Sequence, residues 1–359
     1  MKSWNYFNPV RVHFGEGCLD ELPNVLGKRK ALIVTYPEAS YTNLLHRLEK
    51  LTGSLLLGLI DEIPPLPEIS DLGALYDFVR QDFKAAEVIV AVGGGSVMDT
   101  GKILATTSRG RTFAGMMDAV AMAETGNLTA LPVVAVPTTA GTGSEVTPWA
   151  TFWDKKAGRK HSLHFPGLFP ESALVDPLLT TALPPGPTLA GGLDALSHAC
   201  EAIWNRNANP VSDLYAIAAA KEVLATLPLL MKKPGELRLR SRMAKAALLA
   251  GLAFSNTQTA LAHSISYPMT LRYGLPHGIA CSFCLPLVMR MALGKDPSRD
   301  NVLREVFGRD LEDAPKRLED FLEDLGVRAG FSGYGVGRED AERIVGEAGS
   351  GPRGRNFIL

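Results

Sequence analysis

The chain has 359 residues, is 46% hydrophobic and 21% charged, and carries a formal net charge of −1. This length accommodates two domains with separate cores, and the near-neutral charge gives no electrostatic reason to expect nucleic acid or an anionic membrane surface as a partner. No apolar run approaches the ~20 residues that span a bilayer. The opening Met1-Lys2-Ser3-Trp4-Asn5-Tyr6 lacks the apolar centre of a signal peptide, so a cytoplasmic location is expected.

Along the chain, short apolar runs alternate with helical patterns. Arg11–Phe14 reads as an edge strand, Ala31–Thr35 as a stronger one, and Leu55–Ile60 and Glu87–Val92 follow. Between the last two, Leu72, Leu75, Val79 and Phe83 recur at helical spacing, predicting a helix over Asp71–Phe83. Leu131–Val136 and Ala173–Val175 are further strands. Strands alternating with helices imply an α/β domain with a parallel sheet covered on both faces. The break Pro184-Pro185-Gly186-Pro187 ends this pattern. Beyond it alanine and leucine dominate, with helical patterns over Ala216–Leu230, Leu237–Phe254, Thr257–Tyr267 and Ile279–Met291. The expectation is an α/β domain over 1–183 and an all-helical domain over 184–359. The tail Gly349–Arg355 reads as loosely held.

Two glycine-rich stretches follow strands. Val88–Val92 runs into Gly93-Gly94-Gly95-Ser96, and a helix begins at once, with Ser96 as its expected N-cap and Asp99 three residues on. A strand, a glycine turn and a helix N-terminus aim free N–H groups and the positive dipole end at one spot, which suits a pyrophosphate. Leu131–Val136 runs into Pro137-Thr138-Thr139-Ala140-Gly141-Thr142-Gly143-Ser144. Glycines and hydroxyls at a strand's carboxyl end lie where ligands bind open α/β sheets.

Past the proline break, Leu189, Leu193, Leu196, Cys200 and Ile203 recur as an amphipathic helix, and Asp194 and His198 share one face a turn apart. His263, on a helix, and His277, at a turn that starts the next one, are the other histidines of this half. Either these three histidines are unrelated, or they join Asp194 as one carboxylate and three imidazoles suited to Fe²⁺, Zn²⁺ or Mn²⁺. His161 and His164 are weaker candidates for a place near a ligand. Cys281 and Cys284 have CxxC spacing in an apolar setting without a second pair, and read as inert buried thiols.

Together, GGGSVMDTGK at 93–102, PTTAGTGSEVT at 137–147, GGLDALSHACE at 191–201 and ALAH…LPHG at 260–278 resemble the iron-containing (group III) alcohol dehydrogenases, in order and over nearly the whole chain. The resemblance implies the dehydroquinate synthase-like fold, with a dinucleotide-binding domain, a helical domain and a cleft between them. It also implies a homodimer and a small aldehyde or alcohol as substrate, while the charge balance gives no reason to expect a nucleic-acid or membrane partner. Asp194, His198, His263 and His277 would hold Fe²⁺ or Zn²⁺. Gly94, Gly95 and Ser96 would hold the pyrophosphate, with Asp99 close by. Thr138, Thr139, Thr142 and Ser144 would line the rest of the cofactor channel, Lys160 would lie near the cofactor, and Leu179 would pack on the adenine.

Two positions depart from the family. Where some members carry a proton-relay histidine four residues after the third ligand, this chain has Tyr267, and either its hydroxyl or a metal-bound water would relay the proton. After the strand at 31–35, where NAD-preferring relatives often carry an aspartate, it has Tyr36, with Glu38 nearby. Losing the acidic barrier to a 2′-phosphate favours NADP(H) over NAD(H). The expected reaction is metal-dependent hydride transfer between nicotinamide and a small aldehyde. An anionic aldehyde such as phosphonoacetaldehyde is the alternative within the family, and a lyase of the dehydroquinate synthase type the alternative outside it.

Overall fold

The computed structural model describes residues 3–37, 42–107, 112–122 and 124–358. They form two compact units, one of Asn8–Thr139 with Ser144–Ala182, the other of Met1–Phe7, Ala140–Gly143 and Leu183–Leu359.

The first unit contains strands β1 (Arg11–Phe14), β2 (Ala31–Val34), β3 (Leu56–Ile60), β4 (Val88–Gly93), β5 (Thr106–Thr107), β6 (Thr129–Ala130), β7 (Val133–Pro137), β8 (Trp149–Asp154), β9 (Arg159–His164) and β10 (Ser172–Val175). Its helices are α1 (Leu22–Leu26), α2 (Thr42–Thr52), α3 (Ile69–Asp82), α4 (Gly95–Ala105) and α5 (Phe113–Ala121). Six strands form one sheet in the order β1-β10-β7-β4-β2-β3, with every neighbouring pair parallel. The central strands β2, β4 and β7 are buried at every residue, because helices cover both faces and continuous apolar sequence is what such strands require. The period-2 alternation sorts their side chains. Leu32, Val34, Ile89 and Ala91 join Leu72, Tyr76 and Ile103 on one face, and Ile33, Val88, Val90 and Val92 join Leu22, Leu26 and Leu48 on the other.

β1 is an edge strand, as its sequence suggests. The antiparallel hairpin β8–β9 has no counterpart in the sequence reading. His161 and His164 lie on it, stacked on Phe152 and Trp149 respectively.

The second unit contains α6 (Pro185–Ile203), α7 (Pro210–Lys232), α8 (Leu237–Thr257), α9 (Leu261–Tyr273), α10 (His277–Ser282), α11 (Leu285–Ala292), α12 (Pro297–Phe307), α13 (Ala314–Asp324) and α14 (Arg338–Ser350). The single helix expected over Ile279–Met291 is two, because Pro286 removes a backbone donor and sits in the first turn of α11. α7, at 23 residues, is long and apolar enough to cross a membrane by length and composition, contrary to the sequence expectation. Here its Ala216, Ala219, Ala220, Val223 and Leu227 lie in the core shared with α6 and α8.

The tail is anchored rather than loose. Phe357 is buried and bridges to Asn205, Asn356 donates to the Thr259 carbonyl, and Arg353 donates to Gln258 Oε1.

Candidate functional site

In the α/β unit the two glycine-rich loops are neighbours, because β4 and β7 pair with Gly93 opposite Pro137 and Thr138 N–H donates to the Gly93 carbonyl. A Cβ on Gly94 would come within 3.3 Å of Thr139 Cγ2. The chain order reverses between β2 and β4, and the carboxyl ends at such a switch point are where open α/β sheets bind ligands. Tyr36 stands at the end of β2, and its hydroxyl lies 3.3 Å from Thr138 Oγ1. Glu38 falls outside the described residues.

α4 starts two residues earlier than the sequence suggests. Its N-cap is Gly94, not Ser96, since a glycine pair lets the chain enter the helix directly from the strand. Ser96 Oγ instead accepts from Leu66 N–H. Gly95 and Ser96 thus fall in the first turn, whose N–H groups have no partner within the helix.

Asp99 and Ser144 are engaged with each other. The Ser144 hydroxyl donates to Asp99 Oδ1 at 2.7 Å, and Thr151 N–H donates to Asp99 Oδ2 at 2.9 Å. Lys102 is fully buried, and its ammonium donates to the Ser144 carbonyl and hydroxyl and to the Thr147 and Trp149 carbonyls, all within 2.9 Å. Asp99 therefore acts on the loop through packing and hydrogen bonds. Lys160 stands on β9 with Nζ 5.4 Å from the Trp153 ring centre. Leu179 packs into the core on the α1–α2 face of the sheet.

In the helical unit, Gly141 and Gly143 let the stretch Ala140–Gly143, which carries Thr142, lie against α6 and α8. A Cβ on Gly141 would come within 2.7 Å of Gly191, and one on Gly143 (φ +60°) within 2.5 Å of Gly251.

α6 is buried on all sides from Gly192 to Ile203, not on one stripe, because α7, α8 and α10 surround it. It places Asp194 and His198 a turn apart, with His198 Nε2 3.9 Å from Asp194 Oδ1. α9 brings His263 Nε2 to 3.5 Å from the same oxygen. His198 stacks between Phe254 and His263, with ring centres 4.0 and 4.5 Å away. His277 opens α10, its ring 5.6 Å from that of His263. Asp194, His263, His277 and Cys281 each offer a donor atom, and these four atoms lie within 4.8 Å of one another. Tyr267 stands one turn beyond His263 on α9 and is half-buried.

Buried Asp194 Oδ1 and His263 Nε2 have no hydrogen-bond partner. Leaving such atoms unsatisfied costs about 1–3 kcal/mol each, and a divalent cation is the group that fits this convergence of carboxylate and imidazole atoms. The electrostatics of Asp194 and His198 agree, and those of His263 run the other way, toward a proton that a cation would have to displace. Burial opposes ionisation of Asp194, yet the imidazoles of His198, His263 and His277 outweigh it and hold the carboxyl well below its usual range. Burial lowers His198 to about 4 against the pull of Asp194, so its ring is neutral near pH 7, as a ligand must be. For His263 burial is outweighed by Cys281, Glu201 and Asp194, and the proton is held more tightly than usual.

The sequence reading assigned no role to Glu201. This fully buried carboxylate accepts from His263 Nδ1 at 2.6 Å and from the Ala260 and His263 amides. It therefore caps α9 and turns His263 Nε2 toward Asp194, as hydrogen bonds behind a metal-binding histidine do. Its position three residues after His198 on α6 was the available signal.

Gly278 explains how α10 comes so close to α6: a Cβ there would fall 1.8 Å from the Ala190 carbonyl oxygen. Gly278→Ala is expected to push His277 away from the cluster and cost about 1–3 kcal/mol or more. Thermal unfolding and metal content of the purified variant would check this, and wild-type values for both would refute it.

Comparison with known proteins locates both halves. Residues 9–177 match the family model described as iron-containing alcohol dehydrogenase, and residues 188–353 match its C-terminal counterpart. The chain is 32% identical over 355 residues to an NAD-dependent methanol dehydrogenase of Bacillus methanolicus, covering 95% of this chain and 92% of that protein. The crystal structure of sulfoacetaldehyde reductase from Bifidobacterium kashiwanohense in complex with NAD⁺ superposes with a TM-score of 0.89 at 30% identity, covering 100% and 95% of the two chains. An iron-containing alcohol dehydrogenase from Thermotoga maritima superposes with a TM-score of 0.83 at 32% identity over 99% and 95%.

Proposed function

Since the chain belongs to the iron-containing alcohol dehydrogenase family, we propose that it is a cytoplasmic aldehyde reductase that uses Asp194, His198, His263 and His277 to hold its divalent metal. Membership of this family makes the chain a metal-dependent, nicotinamide-linked oxidoreductase of alcohols and aldehydes. The convergence of Asp194 Oδ1 and His263 Nε2, both buried and without partners, supports the metal assignment. The reaction converts an aldehyde, NAD(P)H and a proton to a primary alcohol and NAD(P)⁺. The bound cation would polarise the carbonyl and stabilise the negative charge that develops on its oxygen as the nicotinamide supplies hydride.

The chain's own groups do the rest. The first-turn amides of α4 at Gly95 and Ser96, with Gly94 leaving room for close approach, bind the pyrophosphate. Thr138, Thr139 and Thr142 offer hydroxyls to the cofactor's sugar and phosphate oxygens, and Lys160 adds positive charge. Asp99 and Ser144 brace that loop, and Leu179 supplies apolar surface beside the adenine. Glu201 keeps a hydrogen bond on His263 Nδ1 and so leaves Nε2 for the metal. Tyr267 Oη delivers the proton to the product oxygen. Within the range of small aldehydes we favour an uncharged short-chain substrate. We also assign a homodimer and Fe²⁺ or Zn²⁺.

The test is nicotinamide absorbance followed with a panel of aldehydes, including propanal, sulfoacetaldehyde and phosphonoacetaldehyde, using metal-loaded and chelated protein. Metal-dependent oxidation by an uncharged aldehyde is the expected result. Preference for the sulfonate or phosphonate would move the substrate to the anionic class, and turnover that survives verified metal removal would overturn the metal's role.

Tyr36 in place of an acidic residue supports NADPH over NADH. Tyr36→Asp is expected to shift the ratio of kcat/KM values toward NADH by about 10-fold or more, because the carboxylate bonds a 2′-hydroxyl and repels a 2′-phosphate. A ratio unchanged by this substitution would show that discrimination lies elsewhere.

A further inference from the structure

We infer that Cys281 is a thiolate ligand of the metal in this chain, making the centre one of mixed oxygen, nitrogen and sulfur donors. The inference rests on the metal assignment proposed above and extends it to a residue outside the Asp194, His198, His263 and His277 set.

The placement follows from the helix that carries His277. Cys281 is four residues on in α10, so the two side chains share a face. Its Sγ lies 3.7 Å from His277 Nε2 and 3.8 Å from Nδ1. Donor atoms that share one ion, with bonds of about 2.0–2.3 Å, lie about 3–4 Å apart. The Asp194–His263 separation of 3.5 Å, the Cys281–His277 separation of 3.7 Å and the His198–Asp194 separation of 3.9 Å are all close to that spacing. Cys281 also belongs to the group of four residues whose donor atoms all lie within 4.8 Å of one another, and His198 does not.

Beside the cysteine, Asp194 Oδ1 and His263 Nε2 are buried, lack a hydrogen bond and lie 3.5 Å apart. Cys284, the other half of the CxxC spacing, is differently placed, its Sγ facing the Cys281 carbonyl oxygen at 3.8 Å. It provides the internal control.

The chemical consequence is selectivity. A thiolate steepens the preference for Zn²⁺ and Co²⁺ over Mn²⁺, relative to a site of carboxylate and imidazole alone. On binding, the Sγ–H proton passes to solvent and a metal–sulfur bond takes its place, with no change of oxidation state.

The test is Co²⁺ loading of the full-length apo-protein, read by absorption. Uptake of one Co²⁺ with a near-ultraviolet sulfur-to-cobalt charge-transfer band is expected in the wild type and in Cys284→Ser. Cys281→Ser is expected to lose that band and to bind Zn²⁺ more than about 10-fold more weakly. One Co²⁺ bound in the wild type without the band would overturn the inference and leave the carboxylate–histidine centre standing. No Co²⁺ uptake by protein with a native circular dichroism spectrum would overturn the metal assignment itself. Should Cys281→Ser fail to fold, X-ray absorption of the Zn²⁺-loaded wild type decides: one sulfur at about 2.3 Å supports the ligand, and nitrogen and oxygen alone refute it.

Discussion

Asp194→Ala is expected to abolish metal retention and lower kcat/KM by roughly 10³-fold, or about 4 kcal/mol of transition-state stabilisation. Asp194 Oδ1 lies 3.9 Å from His198 Nε2 and 3.5 Å from His263 Nε2, and it would supply the carboxylate charge facing the cation. Without it the buried imidazoles meet a cation with no charge compensation. Nucleotide affinity should stay within about 2-fold of wild type, because the loops after β4 and β7 do not include Asp194. Glu201→Gln provides a graded comparison. An amide can still hydrogen-bond His263 Nδ1 but lacks the charge, and metal affinity is expected to fall about 10–100-fold. Metal analysis and fluorescence titration with nucleotide separate these outcomes. Full metal content and turnover in Asp194→Ala would remove the site from this part of the chain.

Much of the site was legible because its parts are local. Asp194 and His198 need only helical periodicity to share a face, and the glycines after Val92 need only a strand before them and a helix after. What could not be read depends on packing between distant segments. Glu201 looks like any charge on a helix until α9 is laid against it with its N-terminal amides and His263 facing the carboxylate. Cys281 reads as a buried thiol until α10 comes within reach of α6, which Gly278 permits.

The fold shows the same division. Continuous apolar runs identify β2, β4 and β7 because a strand buried on both faces has no alternative composition. β8 and β9 do not stand out because Trp149–Asp154 and Arg159–His164 mix charged and aromatic residues, and their antiparallel ladder places His161 on Phe152 and His164 on Trp149. The tail reads as loose from its glycines. Yet a Cβ on Gly354 would strike the Ala348 carbonyl oxygen at 1.9 Å, so that glycine marks tight packing rather than freedom.

Lys102→Met is expected to cost about 3–5 kcal/mol of stability, the range for removing one partner from a buried charge network. The ammonium is fully buried and satisfies three carbonyls and a hydroxyl between Ser144 and Trp149. Burial pulls its pKa down to about 8, against the opposing pull of Asp99 and Glu145. Burial likewise raises Asp99, with Lys102 the first of the groups that counter it. Methionine fills most of the lysine stem and is one heavy atom shorter, so the loss reports mainly on charge and hydrogen bonds rather than on a cavity. The three carbonyls would be left without their ammonium donor and Asp99 without its nearest cation. Adding Asp99→Asn should recover part of the loss, because the amide removes the uncompensated charge while still accepting from Thr151 N–H. Denaturant unfolding of the two single variants and the double variant measures the coupling. A Lys102→Met penalty below about 1 kcal/mol, or a fully additive double variant, would mean that the loop from Ser144 to Trp149 is held by its packing and not by this cation.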